Sequence, residues 1–254
     1  MNKELKELEL LEFKYLKKYF HFLKFTEDEI LYGLNSKNKI KNEWWNKWNI
    51  SDNHKISDFN IGAERVIYAL INSKGIGTPN SCPVGSDLMF EVDDAFIHID
   101  LKTVQTTNIG DFSKNIFVGN NQISYNSTYE VDNDIREYNF ANLPTKYNVY
   151  GKQKYCLTYF ISILHDTSTL ETLCIDITSF PNGLLQPIYK GDVFKAGKNP
   201  DKVRYNFQKC LDFRLLGQEY RRLLVIYMNK NINQQYVKTL NFINQCYNSQ
   251  NFPL

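Results

Sequence analysis

The sequence predicts an α/β fold, a mixed β-sheet flanked by α-helices, and four segments predict it. Across residues 5–23, Leu8, Leu11, Tyr15, Leu16, Tyr19, Phe22 and Leu23 recur near helical spacing with Lys and Glu between them, the pattern of an amphipathic helix. Across residues 95–101, Ala95, Ile97, Ile99 and Leu101 alternate with other residues, which is the period of a strand. Residues 155–164 form a near-continuous apolar run, a buried central strand, and residues 173–177 supply its neighbour. With 254 residues and 43% hydrophobic content, the chain can bury a sizeable core.

The remaining elements follow in order. Thr26-Glu27-Asp28-Glu29 fits an N-cap with an acid three residues on, and the short second helix it starts is expected to stop near Gly33-Leu34-Asn35. All three tryptophans fall in residues 42–48, read as a helix packing aromatics into the core or a dimer contact, with base stacking as the rival. Residues 61–71 read as a helix carrying Glu64, and residues 86–90 as a strand. Asp93-Asp94 is a turn signal between that strand and the alternating one. Residues 103–126 are rich in amides and hydroxyls, residues 189–206 collect Lys190, Lys195, Lys198, Lys202 and Arg204 among Gly, Asn and Pro, and residues 233–247 close the chain as a helix. No internal repeat or low-complexity linker interrupts the chain.

The chemistry lies at the turn. Alternation puts Asp100 and Lys102 on one face, and a hairpin at Asp93-Asp94 would bring Asp87 alongside Asp100. Two carboxylates and an ammonium so placed are the parts of a magnesium-dependent phosphodiesterase, because Mg²⁺ takes one or two protein carboxylates and fills its remaining positions with water and substrate phosphate. Lys102 would orient or deprotonate the water, or stabilise the charged phosphorane. The same acid-x-Lys triplet recurs at Glu4-Leu5-Lys6 and Glu12-Phe13-Lys14, where it reads as ordinary helix surface. His98 shares the Asp100 face and reads as a packing neighbour.

Composition narrows the class. Formal net charge is +2, with 30 basic and 28 acidic residues, so any nucleic-acid-binding charge must be local. Cys82, Cys156, Cys174, Cys210 and Cys246 are scattered without zinc-ligand spacing, and the reading is free thiols in a reducing cytoplasm. Neither a signal peptide nor a membrane span is visible in the apolar pattern.

The Asp87, Asp100-Leu101-Lys102 arrangement resembles the PD-(D/E)XK nuclease superfamily, most closely its type II restriction endonucleases. Ser86 stands where that pattern has proline, a departure that removes no ligand. The resemblance implies a restriction-endonuclease-like core and hydrolysis of double-stranded DNA with Mg²⁺ at a short, palindromic sequence. It also implies Glu64 as a further catalytic acid that ligates the metal with Asp87 and Asp100, and a homodimer matching the symmetry of the DNA. A cognate methyltransferase is expected as a system partner. Gln105, Asn120, Asn121, Gln122 and Ser124 are expected to touch DNA beside the scissile phosphate, with Lys195, Lys198, Lys202 and Arg204 as phosphate-contacting or base-reading groups. One domain over 1–254 is expected, with a helical region at 1–50, a catalytic core at 58–178 and DNA-contacting loops plus a terminal helix at 180–254. The rival functions are a repair or recombination nuclease of the same fold and a catalytically decayed DNA-binding protein.

Overall fold

The computed structural model describes residues 2–40, 59–74, 77–80, 86–131, 134–138, 141–197, 202–217 and 219–250; the tryptophan run, Cys82 and Lys198 lie outside them. Helix α1 (Asn2–Phe25) buries Leu8, Tyr15, Leu16, Tyr19 and Leu23, the stripe that the spacing predicts. It also buries Glu12, expected at the surface, together with Glu9. The reason is remote in sequence: Arg222 sends Nη2 to Glu12 Oε2 at 2.8 Å and to Glu9 Oε1 at 3.4 Å. The Asn182 N–H donates to Glu12 Oε1, completing a paired and bonded buried cluster.

Helix α2 (Glu27–Ile40) runs through Gly33 instead of stopping there. Helix α3 (Phe59–Lys74) crosses it at that point, and a Cβ on Gly33 would sit 2.9 Å from Val66 Cγ2. The glycine is thus a close helix contact rather than a terminator. Thr26 also departs from expectation, because its hydroxyl donates back to the Phe22 carbonyl of α1 rather than to the first turn of α2.

The strands are β1 (Thr78–Asn80), β2 (Leu88–Glu91), β3 (Ala95–Gln105), β4 (Asn115–Val118), β5 (Ser127–Val131) and β6 (Asp134–Tyr138). They continue with β7 (Lys146–Val149), β8 (Lys152–His165), β9 (Thr172–Phe180), β10 (Phe194–Ala196), β11 (Val203–Asn206) and β12 (Leu223–Met228). The main sheet has the order β1-β2-β3-β8-β9-β12, with β7 also on β8. Only β3 and β8 run parallel, from Ala95↔Tyr155 to Gln105↔His165; the other pairings are antiparallel. This is the predicted mixed sheet, with the run at 155–164 in its middle.

Successive residues of β8 face opposite ways. Tyr159 points to the helical layer, its hydroxyl donating to the Glu12 carbonyl of α1. Phe160 points to the other face, where Phe180 continues the contact to Tyr205 and Phe194 of a second, three-stranded sheet, β10-β11-β4. That small sheet takes in part of the segment expected to be a basic loop, residues 194–196 and 203–206. Residues 233–247 form a single turn at Gln234–Val237 and then helix α4 (Asn241–Ser249), broken between them, with Leu240, Ile243 and Cys246 buried and Val237 exposed. The buried apolar side chains make one contiguous core running from Leu5 to Cys246.

Candidate active site

The β2–β3 hairpin sets the geometry. Its register pairs Leu88 with Ile99, so Asp87 falls opposite Asp100. The tip is closed by Val92 N–H donating to the Ala95 carbonyl at 3.0 Å, and Asp94 at the tip is held by Lys14 at 2.6 Å and by Tyr15. At the other end, the Leu101 N–H donates to Asp87 Oδ2 at 2.7 Å.

Asp100 is only 2% exposed. Lys102 Nζ lies 2.5 Å from Asp100 Oδ2, and Gln122 Nε2 donates to Asp100 Oδ1 at 2.5 Å. Gln122 Oε1 accepts from Lys102 Nζ at 2.9 Å and from the Gly119 N–H at 2.7 Å. The Lys102 ammonium also lies over the rings of Phe160 and Phe117, at 5.1 and 5.9 Å from their centroids. These groups line a cavity of about 360 Å³, with Asn60 and Glu64 from α3, Asp111, and Ile116 and Phe117 from β4.

Electrostatics mark the cavity as acidic and crowded. Burial pushes the Asp100 carboxyl up to about 6; Lys102 opposes the rise, the Asp87 charge adds to it, and Gln122 again opposes it. Burial and then the Asp87 charge raise Glu64 as well. A divalent cation would relieve the mutual repulsion of these carboxylates, and hard oxygen donors at an open cavity fit one. Among the described residues no three His, Cys, Asp or Glu side chains converge into a metal cage. Such a site suits an ion that keeps water and meets few protein ligands.

The other predicted residues separate into groups. Gln105 is exposed at the end of β3, and Asn120 and Asn121 are exposed on a one-turn helix, with Asn121 Oδ1 accepting from Asn142 Nδ2 at 2.7 Å. Gln122, expected to face DNA, turns inward to Asp100 and Lys102. Ser124 is buried and accepts from the Gly183 N–H at 2.9 Å, which places it inside the fold rather than on a surface open to DNA. Lys195 and Arg204 face each other across β10 and β11, and Lys202 is exposed at the start of that hairpin's second arm. Arg204 pairs at 2.7 Å with Asp111, which lines the cavity. His98 is buried against Ser86 and the Tyr147 ring, and burial lowers it to about 4, a neutral packing neighbour. Asn60, Asp111 and the inward turn of Gln122 escape the sequence because each depends on contacts between segments far apart along the chain.

Known proteins share this architecture. The model of the type II restriction enzyme MwoI N-terminal domain matches residues 4–169, and that of the MwoI central domain matches residues 172–228. The two meet at the β8–β9 hairpin, inside one continuous sheet. No curated protein matches the chain. Among solved structures, the chain is similar to the restriction endonuclease BglI bound to its DNA recognition sequence, with a TM-score of 0.66, 18% identity, and 90% of this chain and 93% of that one covered. It is also similar to the tetrameric restriction endonuclease SfiI bound to cognate DNA, with a TM-score of 0.59, 12% identity, and 90% and 87% covered. At these identities the likeness carries the fold, while the family matches span most of the sequence. The chain belongs to the family of the type II restriction enzyme MwoI and is a site-specific restriction endonuclease.

Proposed function

We propose that the enzyme hydrolyses phosphodiester bonds of double-stranded DNA at a short palindromic site, using Asp87, Asp100 and Lys102 as its catalytic centre and Mg²⁺ as its cofactor. The observation that carries this reading is the hairpin register that opposes Asp87 to Asp100, with Lys102 Nζ 2.5 Å from Asp100, at an open acidic cavity. When bound, Mg²⁺ supplies Lewis-acid stabilisation of the phosphoryl oxygens and a more acidic water. Asp87 and Asp100 would hold it. The Leu101 N–H keeps Asp87 aimed at the cavity, and Ile116 and Phe117 supply apolar parts of its lining. Lys102, with three donors, hydrogen-bonds the attacking water or the developing phosphorane charge. Glu64 on α3 adds negative charge to the cavity rim.

DNA is read from the exposed Gln105, Asn120 and Asn121, and its backbone is held by Lys195, Lys198 and Lys202, with Arg204 held by Asp111 of the cavity. Two copies would meet a palindrome most simply as a homodimer. One domain housing site and DNA contacts, a cytoplasmic location and a partner methyltransferase complete this reading. The test is incubation with a large defined DNA and Mg²⁺, followed by sequencing of fragment ends. Discrete ends at one palindrome are expected from the wild type and none from Asp100→Asn; cleavage by that variant overturns the site.

A further inference from the structure

We propose that Gln122 is a positioning residue that couples DNA contact at Asn120 and Asn121 to the arrangement of Asp100 and Lys102. The proposal rests on the catalytic and DNA-contacting assignments above. Both lone-pair directions of Gln122 Oε1 are used, by the Gly119 N–H and by Lys102 Nζ, and Nε2 is committed to Asp100 Oδ1. A flipped amide would set its NH₂ against two donors and its oxygen against a carboxylate, so one orientation is fixed. Glutamine suits this place because it must accept from an ammonium and donate to a carboxylate at once. Glutamate lacks the donor, and asparagine lacks the reach.

The same single turn, Asn120–Gln122, presents two exposed amides outward. It is tied to the next segment at Asn142, whose N–H donates to the Asn120 carbonyl and whose Nδ2 donates to Asn121 Oδ1. Both Asp100 oxygens are engaged, Oδ1 by Gln122 and Oδ2 by Lys102. A cation reaching Asp100 therefore shares it with the Gln122 amide at Oδ1 and the Lys102 charge at Oδ2. A base or phosphate that moves the turn moves Gln122, frees Asp100 Oδ1 and leaves Lys102 available to the substrate. The centre is thereby held back until the turn is correctly engaged, and cleavage is more selective than binding alone.

Gln122→Met keeps the length and removes both polar ends; Gln122→Glu keeps the acceptor, removes the donor and adds a negative charge beside Asp100. For each, single-turnover cleavage is measured on the mapped site and on sites altered at one base pair. Mn²⁺ is also titrated calorimetrically into the DNA-free protein at pH 8. The ratio of cognate to altered-site cleavage rates is expected to shrink at least about tenfold, and Gln122→Met is expected to bind Mn²⁺ more tightly than the wild type. An unchanged ratio, whether or not the absolute rate falls, overturns the coupling, because a merely structural residue lowers both rates alike. Unchanged or weaker Mn²⁺ binding overturns the restraint on Asp100. Asp100→Asn run in parallel separates the two readings: if it still cleaves, the catalytic assignment fails, and if it is inactive while Gln122→Met behaves as wild type, only the coupling fails.

Discussion

Asp87 Oδ2 accepts the backbone N–H of Leu101 at 2.7 Å, so the first carboxylate of the site is pinned by the strand that carries the second. An asparagine at 87 can still accept that hydrogen bond through its amide oxygen while losing the charge. Asp87→Asn and Asp100→Asn are therefore expected to fold with thermal midpoints close to wild type and to cleave at least about 1000-fold more slowly, several kcal/mol of transition-state stabilisation. Circular dichroism melts and a plasmid nicking assay check both halves. Near-wild-type cleavage by either variant would remove that residue from the site.

Metal and proton should compete at Asp100. Its carboxyl is held at about 6, so in the cation-free protein it is largely ionised at pH 8 and half protonated near pH 6. Protonation removes the charge that a cation needs, and the Mg²⁺ concentration for half-maximal cleavage is expected to rise as pH falls from 8 to 6. Ca²⁺, with its larger and looser shell, is expected to support DNA binding without cleavage. A half-saturation value independent of pH across that window would show that Asp100 is not the group in competition.

The proposed catalytic pair, Asp87 and Asp100, is legible in the sequence because its signals are local. Alternation at 95–102 and a two-residue turn fix which face Asp100 occupies and what it opposes, and both are read within fifteen residues. What escapes is what the chain brings from afar. Glu12 looks like a solvated helix acid until Arg222, 210 positions later, is seen beside it. Gly33 looks like a helix stop until Val66 of α3 crosses it. Strands β4, β10 and β11 are only three or four residues long and set among Asn, Gly and Lys, so their strand-favouring residues do not stand out from the surrounding loops, and only pairing with one another makes them a sheet. Gln122 stands out for its amide, yet which way that amide turns is settled by where the loop returns to the main sheet.

Arg222, Glu9 and Glu12 are withdrawn from water together. Arg222→Met leaves two buried acids without their cation, and a loss of about 3–5 kcal/mol is expected from urea unfolding. Lys14→Ala breaks the pair with Asp94 on the surface, where the expected loss is under about 1 kcal/mol. Comparable effects from the two substitutions would mean that the buried cluster is not what fastens α1 to the sheet.

Asp176 lies fully buried on β9 with Thr178 and Ser162 as polar neighbours, and burial pushes its carboxyl up to about 8. A folded value above the unfolded one, near 4, means that the native state holds a proton that the unfolded state releases. The stability tied to this residue is therefore complete below about pH 4 and is lost progressively as pH rises through 8, by at most about 1.4 kcal/mol per pH unit. Asp176→Asn mimics the protonated form and is expected to match wild type at or below about pH 4 and to exceed it by a growing margin toward pH 8. Parallel melting curves for the two proteins at both pH values would contradict the assignment.

The DNA-facing surface should divide into groups that position and groups that read. Lys195 lies on β10 and Lys202 just before β11, in the sheet that β4 of the cavity wall completes, and bonds from them to phosphate carry no sequence information. Neutralising either is expected to weaken binding to every duplex alike and to lower the slope of log affinity against log salt by about 0.9 for each phosphate left without its protein cation. Asn120 and Asn121 are amides that can pair bidentately with an adenine edge, so alanine at the reading position is expected to erase discrimination at one base pair, worth about 1–3 kcal/mol. Competition binding in Ca²⁺ against every single-base variant of the mapped site, repeated at several salt concentrations, resolves the two. If the lysine variants keep the wild-type salt slope, the hairpin touches no phosphate, and if both asparagine variants keep full discrimination, base reading lies elsewhere, with exposed Gln105 at the end of β3 next in line.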